Sequence, residues 1–180
     1  EMNMYKDSPQ SVVDEALDLL MWPKDVLGQP IIGQKKTVTS FAPSDFREYM
    51  HRHYQPSNML IGVSGKFNER ELDKLVKQHW TLVKKQAAGG WKKATDVQTK
   101  PRFKLIYKDT EQAHLALGFK AFANNDKRNP AVTVLSTSLG GGMSSRLWDE
   151  IREKRGLAYY VRAGSGSYQD TGQFVVAAGV

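Results

Sequence analysis

The segment from Leu139 to Val161 constrains the fold most, because a glycine turn, a short helical pattern, a second turn and a strand pattern follow one another within it. The first turn contains Gly140, Gly141 and Gly142. Residues without a Cβ permit positive φ and allow another chain to approach the backbone closely. We therefore expect this turn to contact a substrate.

A helix and a strand are predicted directly after the glycine turn. Ser144 or Ser145 can cap the helix, and Leu147 and Ile151 lie one turn apart, which gives it one apolar face. Gly156 is expected to end the helix. The strand that follows places neighbouring side chains on opposite faces, so at most one of its two adjacent tyrosines serves a given site.

The order of a glycine turn, Ser-Arg-Leu and Arg-x-x-x-Gly-Leu-Ala-Tyr resembles the zinc peptidases related to pitrilysin, insulinase and mitochondrial processing peptidase. The resemblance implies that Arg152 and Tyr159 donate hydrogen bonds to the substrate, whereas Arg155 and Tyr160 lie one register off. A guanidinium and a phenol can stabilise the negative charge that develops on a carbonyl oxygen during peptide hydrolysis. The alternative is that Arg152 pairs with Asp149 and that Tyr159 only fills a sheet face.

The zinc-binding motif of that family, His-x-x-Glu-His, is absent from this sequence. The two closest histidines, His51 and His53, lie about 200° apart around a helix and cannot form one chelating face. His79 and His114 are isolated in the sequence, and core or surface roles are expected for both. The remaining zinc ligands are therefore expected outside this chain.

One metal ligand is implied by the opening segment Glu-Met-Asn-Met-Tyr-Lys-Asp-Ser-Pro, which resembles the family segment that begins with the third zinc ligand. That ligand corresponds to Glu1, and Glu15 is a weaker substitute. A lone carboxylate holds zinc poorly, so an exposed terminal glutamate without a metal is an equal alternative. We expect the chain alone to be inactive.

Apolar periodicity and the resemblance together predict an α+β fold with two tandem, like-folded α/β sandwich domains, in which antiparallel-rich sheets carry helices on one face. Both domains are expected to be incomplete, with the first in residues 1–85, a linker in 86–100 and the second in 101–180. The helix and strand patterns are the following. Helices are predicted over 8–21, 42–53, 68–80 and 130–139, and strands over 57–63, 102–108, 113–119 and 157–161.

Composition narrows the function classes. The chain has 180 residues, no cysteine and a net charge of +7. Its basic residues cluster beside the Gly89-Gly90 break without interleaved aromatics, so nucleic acid is not expected as a partner. Gly-Gly-Gly-Met-Ser-Ser lacks the lysine of a phosphate-binding loop. No run reaches transmembrane length, and no membrane partner is expected.

The leading hypothesis is a fragment of a zinc metalloendopeptidase that hydrolyses peptides or small unfolded proteins. The resemblance implies a dimer, or a second half, that encloses a chamber, and it implies a bacterial cytoplasmic location, with the mitochondrial matrix as the alternative. The other function retained is a non-catalytic family member that acts as a partner or scaffold subunit.

Overall fold

The computed structural model describes residues 1–80, 90–95 and 98–180. Parts of the predicted linker, residues 86–89 and 96–97, lie outside the described residues. The helices are α1 (Met2–Asp7), α2 (Pro9–Met21), α3 (Lys35–Ser40), α4 (Pro43–His53), α5 (Glu69–His79) and α6 (Asn129–Gly140), and the strands are β1 (His114–Ala121), β2 (Tyr160–Ser167) and β3 (Gly172–Gly179). The α+β class is confirmed.

The chain forms two compact units. The first contains residues 1–35 and 93–180, and the second contains residues 36–92. Each unit groups residues that lie close together in space, whereas each predicted domain is one continuous range of the sequence. The boundary in residues 86–100 stays a prediction.

The first unit is built on a three-stranded antiparallel sheet in the order β1-β3-β2. Strand β3 lies in the centre, and Gly179 pairs with His114 on one side and with Tyr160 on the other. The predicted strand over 113–119 is confirmed as β1. The strand predicted from Leu157 begins three residues later, at Tyr160.

Helix α2 covers one face of the sheet. Its cap is local, since the Ser8 side chain accepts a hydrogen bond from the Ser11 amide at 3.3 Å. Leu17, Met21 and the fully buried Trp22 form the core cluster. Met21 lies directly against the sheet, since a Cβ added at Gly118 of β1 would stand only 2.5 Å from the Met21 Sδ atom. A glycine in the sheet thus makes room for the helix.

Helix α6 covers the opposite face. A Cβ at Gly140, the last residue of α6, would stand 2.2 Å from the Ala163 amide nitrogen and 2.8 Å from the Ala163 Cβ. Ala163 is next to Gly164 in β2. Gly164 is the cross-strand partner of Val175, which in turn pairs with Gly118, and these three positions face α2. Since side chains alternate along a strand, α2 and α6 lie on different faces.

The predicted strands over 57–63 and 102–108 are wrong. Residues 56–58 form a single 3₁₀ turn, and the residues from Met59 to Val63 and from Arg102 to Lys108 have no strand partner among the described residues. Met59 does have extended backbone dihedrals. An extended segment becomes a strand only when a neighbouring segment completes its hydrogen bonds. A sequence pattern alone does not show whether such a neighbour is present.

Two helices of the second unit, α4 and α5, begin and end within one residue of the prediction, whereas α3 was not predicted. Helix α5 begins after Asn68, whose side-chain oxygen accepts hydrogen bonds from the amides of Arg70 and Glu71 at 3.0 and 3.3 Å. Helix α4 begins at a proline, and the Asp45 carboxylate accepts from the Ala42 amide at 2.8 Å. Within the described ranges, no helix is long and apolar enough to cross a membrane.

Candidate substrate-contact site

The helix after the glycine turn widens into a π-type turn over Trp148–Glu153. The Lys154 amide donates to the Asp149 carbonyl, five residues back, at 2.9 Å. Gly156, at φ 62°, ends this helix as predicted. Such turns insert one extra residue into a helix and occur often at functional sites.

The N-terminal cap expected of this helix is not formed by a side chain. Ser145 precedes the first helical residue and is buried, and its hydroxyl has no hydrogen-bond partner among the described residues. Its main-chain oxygen accepts from the Asp149 amide at 3.0 Å. The serine therefore occupies the cap position through its backbone alone.

The structure brings Arg152 and Tyr159 together. Arg152 Nη1 donates a hydrogen bond to the main-chain carbonyl of Tyr159. The Arg152 Cζ atom lies 5.6 Å from the centre of the Tyr159 ring and 4.3 Å from the centre of the Trp148 ring. A guanidinium at these distances is attracted to both aromatic faces.

The Asp149 and Glu150 carboxylates are paired with other cations. Lys154 Nζ lies 2.7 Å from a carboxylate oxygen of Asp149 and 2.7 Å from one of Glu150, and Arg155 lies 3.6 Å from Glu150. Hydrogen bonds to Asp149 and then to Glu150 raise the pKa of Lys154 to about 12. The alternative pairing of Arg152 with Asp149 is therefore not what the structure contains.

Tyr159 is 72% exposed and precedes the first residue of β2. Its amide donates to the Gly179 carbonyl at 2.8 Å, which fixes the backbone. The adjacent Tyr160 is partly buried, and its hydroxyl lies 3.0 Å from His114 Nδ1. Burial is the main cause that raises the pKa of Tyr160. Tyr159 is thus the accessible phenol, while Tyr160 gives His114 a structural partner that its sequence isolation did not reveal.

The predicted glycine turn has a different backbone from the one expected. Gly140, Gly141 and Gly142 all lack positive φ. The close approach at Gly140 comes from β2 of the same unit, and at Gly141 a Cβ would stand 2.6 Å from the Thr137 Cα atom. A Cβ at Gly142 would meet no atom within 4 Å in the part of the chain that the structure describes. Their contact with substrate stays a prediction, for which Gly142 is the accessible member.

The described residues do not by themselves form a zinc site. No three His, Cys, Asp or Glu side chains lie together within the part of the chain that the structure describes. Glu1 is exposed and precedes α1 without a side-chain capping bond. His53 packs its ring on Tyr49, with ring centres 4.4 Å apart. Glu1 as a metal ligand stays a prediction, and one carboxylate does not make a zinc centre.

A cleft of about 310 Å³ between α2 and the sheet contains charged groups that the sequence did not single out. Asp14 accepts bonds on both carboxylate oxygens, at 2.9 and 2.8 Å, from Arg162 of β2. Burial, and then the charges of Asp14 and Glu15, raise the pKa of Asp18 to about 6. Asp14 and Arg162 lie 148 positions apart in the sequence, so only the folded structure shows that they form an ion pair.

Comparison with known proteins covers nearly the whole chain. The chain is 38% identical over 183 residues to the uncharacterized zinc protease YmxG of Bacillus subtilis and 35% identical over 188 residues to the uncharacterized zinc protease SCO5738 of Streptomyces coelicolor. These alignments cover 99% of this chain but 43% and 40% of the relatives. The chain thus spans about two fifths of the length of the curated relatives that it matches.

Solved structures share the fold. A protease from Helicobacter pylori superposes with a TM-score of 0.85 at 25% identity, over 97% of this chain and 43% of that one. A peptidase M16 inactive domain from Pseudomonas fluorescens superposes with a TM-score of 0.81 at 21% identity, over 99% of this chain and 43% of that one. Residues 40–180 match the family model described as the peptidase M16 inactive domain. The family resemblance of the sequence is therefore confirmed, and the chain belongs to the M16 peptidases.

Proposed function

We propose that this chain is the part of a zinc endopeptidase that holds the substrate carbonyl through Arg152 and Tyr159. The observation that carries the proposal is the contact between the two residues, in which the guanidinium binds the Tyr159 main chain and leaves the phenol exposed. Peptides and small unfolded proteins are the proposed substrates. The names of the curated relatives support the reaction class.

The electrostatics of the pair suit the stabilisation of a developing negative charge. Arginine has five N–H donors, and within the described part of the chain Arg152 uses a hydrogen bond to one acceptor, the Tyr159 carbonyl. Lys154 pairs with both Asp149 and Glu150, so neither of these carboxylates is paired with Arg152. The guanidinium therefore keeps both its charge and its free donors for a ligand, and the Tyr159 hydroxyl can add another donor.

The zinc of the proposed enzyme requires ligands beyond the described residues. Glu1 is the proposed ligand from this chain, because no three metal-ligating side chains lie together among the described residues. We also propose that a second copy, or a second half, closes a chamber around the substrate. The bacterial origin of the named relatives supports a cytoplasmic location over the mitochondrial matrix.

A non-catalytic partner or scaffold subunit is the second candidate function. The description of the matched family model as an inactive domain favours it, as does the lack of a metal-ligating cluster in the described residues. An inactive domain can still supply substrate contacts to a metal site elsewhere. The two candidates therefore differ in whether the intact protein hydrolyses peptides.

The test is peptide hydrolysis by the intact protein and by its Arg152→Ala and Tyr159→Phe variants. Loss of a donor to the developing oxyanion typically lowers turnover by about 10²-fold to 10³-fold, so we expect kcat/KM to fall by about 10²-fold or more in each variant. Zinc content, measured by elemental analysis, should not change. Arg155→Ala is the matched control, because this exposed arginine lies two residues after the π-type turn but bonds only to Glu150 in the described structure.

Two results would contradict the proposal. Full activity in both variants would remove the assigned roles of Arg152 and Tyr159. No hydrolysis by the unaltered protein across a peptide library, with zinc present, would favour the scaffold function instead.

A further inference from the structure

We propose that Trp148 is a positioning residue that holds the Arg152 guanidinium in its substrate-facing orientation, an inference that rests on the function proposed above. Trp148 lies four residues before Arg152 on the same π-type turn, and the Arg152 Cζ atom is 4.3 Å from its ring centre. Both side chains are partly buried. The guanidinium therefore lies over the indole ring, where a cation–π attraction holds it.

The orientation of the indole is itself fixed. Trp148 Nε1 donates a hydrogen bond to Glu153 Oε1 at 3.0 Å. On a regular α-helix, residues three and four apart are neighbours, whereas Glu153 is five residues from Trp148. The i→i+5 hydrogen bonding of this turn brings residue i+5 within reach of residue i as well. One tryptophan can thus contact Arg152 and be anchored by Glu153.

The stacking and the Tyr159 bond together restrict Arg152 in two ways. The bond to the Tyr159 carbonyl holds one nitrogen, and the cation–π contact holds the group over the indole ring. The other N–H groups of Arg152 have no hydrogen-bond acceptor among the described residues and remain available to a ligand. A long arginine side chain otherwise samples many rotamers, and this freedom would have to be lost when the transition state forms.

This role predicts an effect on turnover more than on substrate binding. A pre-oriented, partly desolvated guanidinium interacts most strongly where negative charge develops, which is the transition state. Removal of the ring leaves the Arg152 charge in place but releases its orientation. We therefore expect kcat to fall while KM stays nearly constant.

The first experiment compares substitutions of Trp148 and Glu153 in the intact protein. From the usual strength of cation–π contacts, Trp148→Ala should lower kcat by about 3-fold to 30-fold with KM changed by less than about 2-fold. Trp148→Phe keeps an aromatic face and should retain more activity. Glu153→Ala should give an intermediate loss, and Glu153→Gln, which keeps the acceptor oxygen, should restore it. Trp91→Ala is the control, since this exposed tryptophan lies outside the motif.

The second experiment is a double-mutant cycle with Arg152→Ala. If Trp148 acts through Arg152, then Trp148→Ala should cause no further loss of kcat in the Arg152→Ala protein. An equal loss in both backgrounds would overturn the inference and indicate a general packing role, as would full kcat in Trp148→Ala when Arg152→Ala alone is slow. Full activity in Arg152→Ala would instead refute the proposed function. Glu153→Gln and Trp148→Phe keep the test decisive if Trp148→Ala fails to fold.

Discussion

Replacement of Gly140 by alanine should destabilise the first unit, whereas the same change at Gly142 should not. A Cβ at Gly140 would stand 2.2 Å from the Ala163 amide nitrogen and 2.7 Å from the Arg162 carbonyl carbon. Both are backbone atoms of β2, which cannot rotate away as a side chain would. At Gly142 no atom of the described residues lies within 4 Å of the added carbon. The two positions thus form a matched pair within one turn.

The magnitude follows from two opposing contributions. Extra volume in a packed region typically costs about 1–3 kcal/mol, and backbone contacts this short place Gly140→Ala at the upper end. Alanine is better than glycine in a helix by at most about 1 kcal/mol, so the net loss is about 2 kcal/mol. For a chain of this size, the melting temperature should fall by about 4–8 °C. Gly142→Ala should leave it unchanged or slightly higher, because alanine restricts the unfolded chain more than glycine does.

Thermal and urea unfolding of the intact protein, followed by tryptophan fluorescence, measures both variants. A Gly140→Ala protein that melts within about 1 °C of the parent would refute the close contact between α6 and β2. Peptide hydrolysis adds a second readout. If the glycine turn contacts substrate, Gly142→Ala should lower kcat/KM at unchanged stability, and unchanged kinetics would remove Gly142 from the substrate site.

Two further predictions concern acidic residues of the same unit. Burial raises the pKa of Asp18 to about 6, so between about pH 4 and pH 6 the folded protein keeps a proton that the unfolded chain has lost. The contribution of this group to stability is therefore fully present below about pH 4 and is lost as the pH rises through about 6. Asp18→Asn should accordingly raise the melting temperature more at pH 7 than at pH 4, and an equal change at both pH values would contradict the assignment. Glu1→Gln should lower the zinc content of the intact protein without changing its melting temperature in chelator, and full zinc content would exclude Glu1 as a ligand.

Helix ends were predictable from the sequence because their signals are local. Ser8 before Pro9, and Asn68 before an acidic first turn, each satisfy amides two or three residues away. Gly156 ends its helix because it adopts the left-handed backbone that glycine permits. Each of these features needs information from only a few neighbouring residues. The family motif is local in the same sense, since Arg152 and Tyr159 lie seven residues apart.

Features that depend on distant partners were not predictable in this way. The segment from Met59 to Val63 has the composition of a strand, but strand formation depends on a neighbour. The hydrogen bond between Trp148 and Glu153 depends on the π-type turn, and apolar spacing does not distinguish that turn from an α-helix. The Asp14–Arg162 ion pair joins residues that only the folded sheet brings together.

The position of β3 in the sheet determines when the first unit can fold during synthesis. Helix α2 ends at Met21, yet its apolar face packs on a sheet whose central strand is Gly172–Gly179. At about 5–20 residues per second, the ribosome therefore needs roughly 8–30 s after α2 is synthesised to complete the strands of the sheet. During that interval Leu17, Met21 and Trp22 have no sheet to cover them. The nascent chain should consequently be a client of chaperones that bind apolar segments, and synthesis and folding of this unit should be separable in time.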